Sequence, residues 1–269
     1  MRIVPQRQIA SSLYRLSKVK MSTFPQATAE RAAELVSAYN SILKQVEDTS
    51  KQYGKTNVRL VAVSKFKPSS DIMALYNAGV RHFGENYVQE LIAKSKELPK
   101  DIKWHFIGGL QSGKAKDLAK GVESLYAVET IDALKKCKQL DNTRAKLEGA
   151  PITVYLQVNT SEEEQKSGYS LSNREELFQT VEFLLSEDCK KLKLGGLMTI
   201  GSFTESTSEG EENQDFTKLV NLKRDLDEKY KLDLEISMGM SNDFAQAIKQ
   251  GSSSVRVGTS IFGARPPRA

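Results

Sequence analysis

At 269 residues the chain is long enough for one large α/β domain, and its 39% hydrophobic and 27% charged content is that of an ordinary folded protein. No run of about 18 apolar residues occurs, so no membrane-spanning helix is expected. The formal net charge of +5 hints at nucleic acid, but five basic residues (Arg2, Arg7, Arg15, Lys18, Lys20) crowd an acid-free leader; removing them from 39 leaves 34, equal to the 34 acidic residues. The body of the chain is therefore formally neutral, and nucleic-acid binding is not expected.

Residues 1–20 carry Ser11, Ser12 and Ser17, with Ile9, Leu13 and Leu16 on one helical face. They resemble a mitochondrial transit peptide; a basic tail before a second start at Met21 is the alternative. Residues 1–25 are read as an extension and 26–269 as one folded unit. Ala29 to about Lys51 has apolar residues at helical spacing and reads as a helix. A short β-branched run from Val58 then closes on Ser64, Lys65 and Pro68, as a buried strand would.

Beyond it strands and helices alternate. A helix capped by Ser69 or Ser70 runs to Ala78, followed by strand 80–84, helix 86–96, strand 102–107, helix 114–120, strand 122–128 and helix 132–146. Strand 151–158, a polar loop 160–170, helix 174–186, strand 192–200 and an acidic, Ser-rich loop 202–210 come next. A long helix to Tyr230, strand 234–237, helix 243–249, strand 254–257 and a poor final helix from Ile261 complete the series. Eight βα units imply parallel strands with right-handed crossovers and fit a single α/β (β/α)8 TIM barrel preceded by a helix. An open doubly wound sheet is the alternative; the first strand lacks the GxGxxG that such a sheet often carries.

In such barrels chemistry collects at the C-terminal ends of the strands. Those ends supply Lys65, then Gly84-Glu85-Asn86-Tyr87, Trp104-His105-Phe106-Ile107-Gly108, Asn159, Met198-Thr199, Ser237-Met238-Gly239-Met240-Ser241 and Arg256-Val257-Gly258-Thr259. Lys65 at the end of a buried strand is either a snorkelling surface lysine or a desolvated nucleophile toward an aldehyde. The last two motifs combine glycine with hydroxyls, a pattern suited to a phosphate cradle, and they fall where barrels often bind phosphate. A phosphate site opposite a lysine suits pyridoxal 5′-phosphate, attached to Lys65 as a Schiff base, with its phosphate on Ser241, Gly258 and Thr259. Arg256, always protonated, would then donate to the pyridine nitrogen and make the ring a weak electron sink. Cys137 and Cys189 lie in no CxxC, and with only two cysteines and two histidines no zinc site is expected.

Together VAVSKFKP, FGENYVQE, WHFIGGLQSGK, VNTSEEEQKSG, GLMTIG, SMGMSNDF and VRVGTSIFGARP resemble the YggS/PROSC family of pyridoxal phosphate homeostasis proteins, from about residue 58 to Pro267. The resemblance implies an alanine racemase-like barrel with the cofactor on Lys65 and its phosphate on Ser241, Gly258 and Thr259. It implies Ser237 and Met238 lining the site, Arg256 at the ring nitrogen, and Asn86, His105 and Met198 around the ring. It further implies a non-catalytic binder that keeps free pyridoxal phosphate low, apo-enzymes as recipients, and a monomer. The two lone thiols suggest a reducing compartment, the cytoplasm, and the leader adds a mitochondrial address. A pyridoxal phosphate-dependent amino-acid racemase is the alternative; it needs a second base, from His105 or Tyr87.

Overall fold

The computed structural model describes residues 24–202, 205 and 212–264. The leader, most of the loop 202–210 and the last five residues lie outside them. The first helix, α1 (Ala29–Gln52), is capped by Thr28, whose side chain accepts from the Arg31 N–H, and it buries Leu35, Ile42 and Val46 along one face.

The alternating elements follow as β1 (Arg59–Val63), α2 (Ser69–Asn77), β2 (His82–Glu85), α3 (Val88–Glu97), β3 (Lys103–Phe106), α4 (Ser112–Gly121), β4 (Leu125–Ile131) and α5 (Leu134–Arg144). The second half comprises β5 (Ile152–Asn159), β6 (Tyr169–Ser170), α6 (Glu175–Leu185), β7 (Leu192–Met198), α7 (Gln214–Tyr230), β8 (Glu235–Ser237), α8 (Phe244–Lys249), β9 (Ser254–Val257) and α9 (Thr259–Phe262). Every strand pair is parallel. β1 bonds to β2 on one side and β9 on the other, and β4 bonds to β5, so eight strands close into the expected (β/α)8 barrel.

Burial on both faces explains why β1 reads as an unbroken apolar run. Leu60 and Ala62 join the core between strands and helices, whereas Val61 and Val63 do not, so the odd-numbered residues face the lumen. Ala127, Tyr155 and Met198, with Tyr126, form a separate apolar cluster inside the barrel. α1 covers the seam where the first and last strands meet. Its Arg31 donates to Asp71 at 2.8 Å and to the Phe262 carbonyl at 2.9 Å, tying α1, α2 and α9 together.

Four expectations are corrected. α2 has Pro68 at its cap position and no side-chain cap, because Ser69 Oγ donates instead to Glu97 at 2.8 Å. β4 runs to Ile131, past the expected Val128, because pairing with both β3 and β5 sustains it through a register shift. The supposed loop 160–170 contains β6, which pairs with Val158 and Asn159. The last helix begins earlier, at Thr259, and Gly263 at φ 80° ends it.

Candidate functional site

The lumen-facing phase of β1 carries on to Lys65, which is half-buried at the barrel mouth. Across the β1–β9 ladder, Val61 is in register with Arg256, so the strand bearing the lysine lies directly beside the one bearing the arginine. On β9 the hydrophobic Val255 and Val257 pack outward, leaving Arg256 facing the lumen at 5% exposure.

The turn after β8 depends on Gly239. Its φ is +94°, and a Cβ there would lie 2.5 Å from the Ala247 Cβ. Its carbonyl accepts from the Arg256 N–H at 3.0 Å, while the Met240 N–H donates to Asp243 Oδ1 at 2.6 Å. The turn thereby carries Ser241 to the mouth beside Gly258 and Thr259. On the other side Gly108 lets the β3 end pass over β2, since a Cβ there would fall 1.9 Å from the Asn86 carbonyl oxygen.

These elements enclose a cavity of about 250 Å³ lined by Lys65, Asn86, Met198, Ser241, Arg256, Gly258 and Thr259. Val63, Ile107, Ile200 and Met240 supply its apolar wall. A larger cavity of about 610 Å³ shares Ile200, Met240, Ser241 and Thr259 with it. Sequence reasoning passed over the apolar wall, although the i, i+2 rule applied to His105 would have pointed to Ile107.

Three expected residues do not line this cavity. His105 and Ser237 sit lower in the lumen and Met238 packs outward in the main core. Arg256 Nη1 donates to Ser237 Oγ at 2.6 Å and Nη2 to the Thr199 carbonyl at 2.8 Å. Ser237 Oγ in turn donates to Glu129 Oε2 at 2.6 Å, and Glu129 Oε1 lies 2.6 Å from His105 Nδ1. His105 Nε2 lies 2.8 Å from His82 Nδ1. A polar column thus descends from Arg256, and His105 lies within it.

Desolvation would raise the buried Glu129, but the hydrogen bond and charge of His105, the charge of Arg256 and the Ser237 bond prevail and hold it below its ordinary value. An ionised Glu129 only accepts, so the Nδ1 of His105 carries the proton. Burial lowers Arg256, opposed by the charges of Glu129 and Asp243; an arginine remains protonated regardless.

The residues fit a phosphorylated pyridine aldehyde. A lysine and an arginine face one cavity with two hydroxyls. Asn86 Oδ1, also at its wall, is buried without a hydrogen-bond partner among the described residues and calls for a donor from a ligand. At about 250 Å³ the cavity falls just below the ~300–1,000 Å³ of ordinary ligand pockets, and it suits a single substituted ring.

Residues 38–266 match the family described as alanine racemase, N-terminal domain. A pyridoxal phosphate homeostasis protein of Schizosaccharomyces pombe is 50% identical over 210 residues, covering 78% of this chain and 85% of that protein. One from Caenorhabditis elegans is 43% identical, covering 85% and 95%. The solved structure of PipY from Synechococcus elongatus PCC7942 with pyridoxal phosphate bound superposes with a TM-score of 0.67 at 30% identity, covering 85% of this chain and 100% of that one. The chain belongs to the alanine racemase N-terminal domain family, in the branch of the pyridoxal phosphate homeostasis proteins.

Proposed function

We propose that the protein binds pyridoxal 5′-phosphate as a Schiff base on Lys65 and takes part in vitamin B6 homeostasis without catalysing a reaction. The observation that carries the reading is the single cavity onto which Lys65, Arg256, Ser241, Gly258 and Thr259 all open. When bound, the group supplies a reactive aldehyde and an aromatic electron sink. Ser241, Gly258 and Thr259 hold the phosphate, Asn86 Oδ1 accepts a hydrogen bond, and Met198 packs against the ring. Arg256 keeps the ring nitrogen unprotonated; Ser237 and His105 act through Arg256, and Met238 supports the turn from below.

The racemase reading finds less support. His105 is fully buried and tied to Glu129 and His82, so it is not placed to exchange a proton with a substrate. Tyr87 is 47% exposed with its ring against Phe66. Residues 26–269 act as one unit, a monomer that hands cofactor to apo-enzymes in the cytoplasm. Mitochondrial import through residues 1–20 is separated from this by sequencing the mature N-terminus.

The test is absorption of the purified protein with pyridoxal phosphate, before and after borohydride, followed by peptide mapping. A visible band bleached by borohydride, with the label on Lys65 and none in Lys65→Ala, is expected. Equal labelling of another lysine would overturn the assignment, and steady conversion of L-alanine to the D-form would overturn the non-catalytic part.

A further inference from the structure

Among the charged clusters that the functional reading leaves unused is a buried one beside the Lys65 turn. Lys94, on α3, is 6% exposed and sits behind the Lys65 turn, outside the cavity. An ammonium has three donors. Here one goes to the Ser64 carbonyl at 2.9 Å and the others to Glu85 Oε1 and Glu90 Oε1, each at 2.7 Å. Both carboxylates also hold the turn itself. Glu85 Oε1 accepts from Ser64 Oγ at 2.6 Å, and Glu90 Oε1 accepts from the Phe66 N–H at 2.7 Å.

The residues immediately before and after Lys65 are therefore gripped by one ionic cluster, at the carbonyl and hydroxyl of Ser64 and at the amide of Phe66. Phe66 has φ 61°, a left-handed conformation that a bulky residue adopts only where its surroundings enforce it. The cluster is a poor stabiliser in its own right. Two carboxylates share one cation, Glu85 Oε2 is buried with no hydrogen-bond partner among the described residues, and burial raises Glu85 against the pull of Lys94. A Glu90–Lys94 pair at i, i+4 is ordinary on an exposed helix face. Here it faces inward, with Lys94 bonded to the Ser64 carbonyl and Glu90 to the Phe66 amide, on the backbone that carries Lys65.

We infer that Lys94, Glu85 and Glu90 form a positioning clamp that fixes the Lys65 turn in its left-handed conformation and aims the Lys65 amine into the cavity. The inference rests on the reading of Lys65 as the attachment point. It makes Glu90 the residue that joins α3 to the turn, and Lys94 a bound internal cation rather than a rival nucleophile.

The test uses the full chain and four readouts: spectral titration with pyridoxal phosphate, peptide mapping of the borohydride label, thermal melting, and hydrogen exchange of the Phe66 amide without cofactor. Glu90→Ala removes a charge-assisted bond. It is expected to raise the dissociation constant at Lys65 about tenfold and to speed Phe66 exchange by a similar factor. Glu90→Gln, which keeps an oxygen acceptor, is expected to stay within about threefold of the parent on both. Ser64→Ala removes the hydroxyl anchor on Glu85 while the Lys94 bond to the Ser64 carbonyl remains; it moves both quantities the same way by a smaller factor, and decides the matter where Glu90→Ala does not fold. A merely structural role lowers the melting temperature and leaves affinity and Phe66 protection of the folded protein unmoved; that result overturns the clamp. If the parent is not labelled on Lys65, the functional reading fails, and the exchange measurement alone decides the clamp.

Discussion

Two charged clusters serve one cavity from opposite faces of the same barrel wall, and they differ in what they hold. The outer cluster, Glu85, Glu90 and Lys94 against α3, grips backbone; the inner column, Arg256, Ser237, Glu129, His105 and His82, grips a side chain. Outside, two carboxylates compete for one ammonium and one oxygen goes unpaired. Inside, one fully buried carboxylate faces one buried guanidinium 3.8 Å away through a shared hydroxyl, and both its oxygens are satisfied. Fixing a turn tolerates a redundant charge, whereas aiming a cation in a dry lumen does not.

The largest expected effect tests that contrast directly. Glu129→Gln removes the nearer of the two carboxylates that balance the buried Arg256, so a loss of about 3 kcal/mol in denaturant unfolding is expected. Glu85→Gln should do far less, because Glu90 still neutralises Lys94; a change within about 1 kcal/mol is expected. Equal losses at the two glutamates would break the comparison.

The inner column should also show itself in pH. Desolvation, reinforced by the charges of His105, Arg59 and Lys103, holds His82 down at about 3, against the ordinary 6.5. Between those values the unfolded chain binds a proton that the folded chain does not. Stability is then full above about pH 6.5 and declines as pH falls toward 3. Melting temperatures between pH 7 and 4 should show that slope, and His82→Asn should flatten it; an unchanged slope would place the sensitivity elsewhere. The smallest effect belongs to the turn. Phe66→Gly relieves the left-handed strain and forfeits a ring contact with Tyr87, and a gain of no more than about 1 kcal/mol is expected in the same unfolding assay.

Most of the barrel was legible because its signals are local. Apolar runs four to eight residues long alternated with helical stretches, and four of the seven strand ends named bring polar residues to one cavity. Depth was not legible. His105 and Ile107 share a face of the third strand's chain, yet only Ile107 reaches the cavity, and a strand end read from sequence is uncertain by about that spacing. The same depth separates Ser237 from the cavity lining. The clamp left one trace, the acidic residue that ends FGENYVQE four positions before Lys94. What turns this pair inward is its contact with Ser64 and Phe66, a tertiary fact that no window of sequence contains.

The ring of strands has a seam, where β1 meets β9, and the cavity straddles it. Lysine and arginine are neighbours in space but sit at opposite ends of the order of synthesis. A chain emerging from the ribosome therefore carries only half a binding site until its final strand has docked. A ligand bridging the two halves acts as a latch on the completed ring, so its stabilising effect reports on closure of the whole circuit as well as on occupancy.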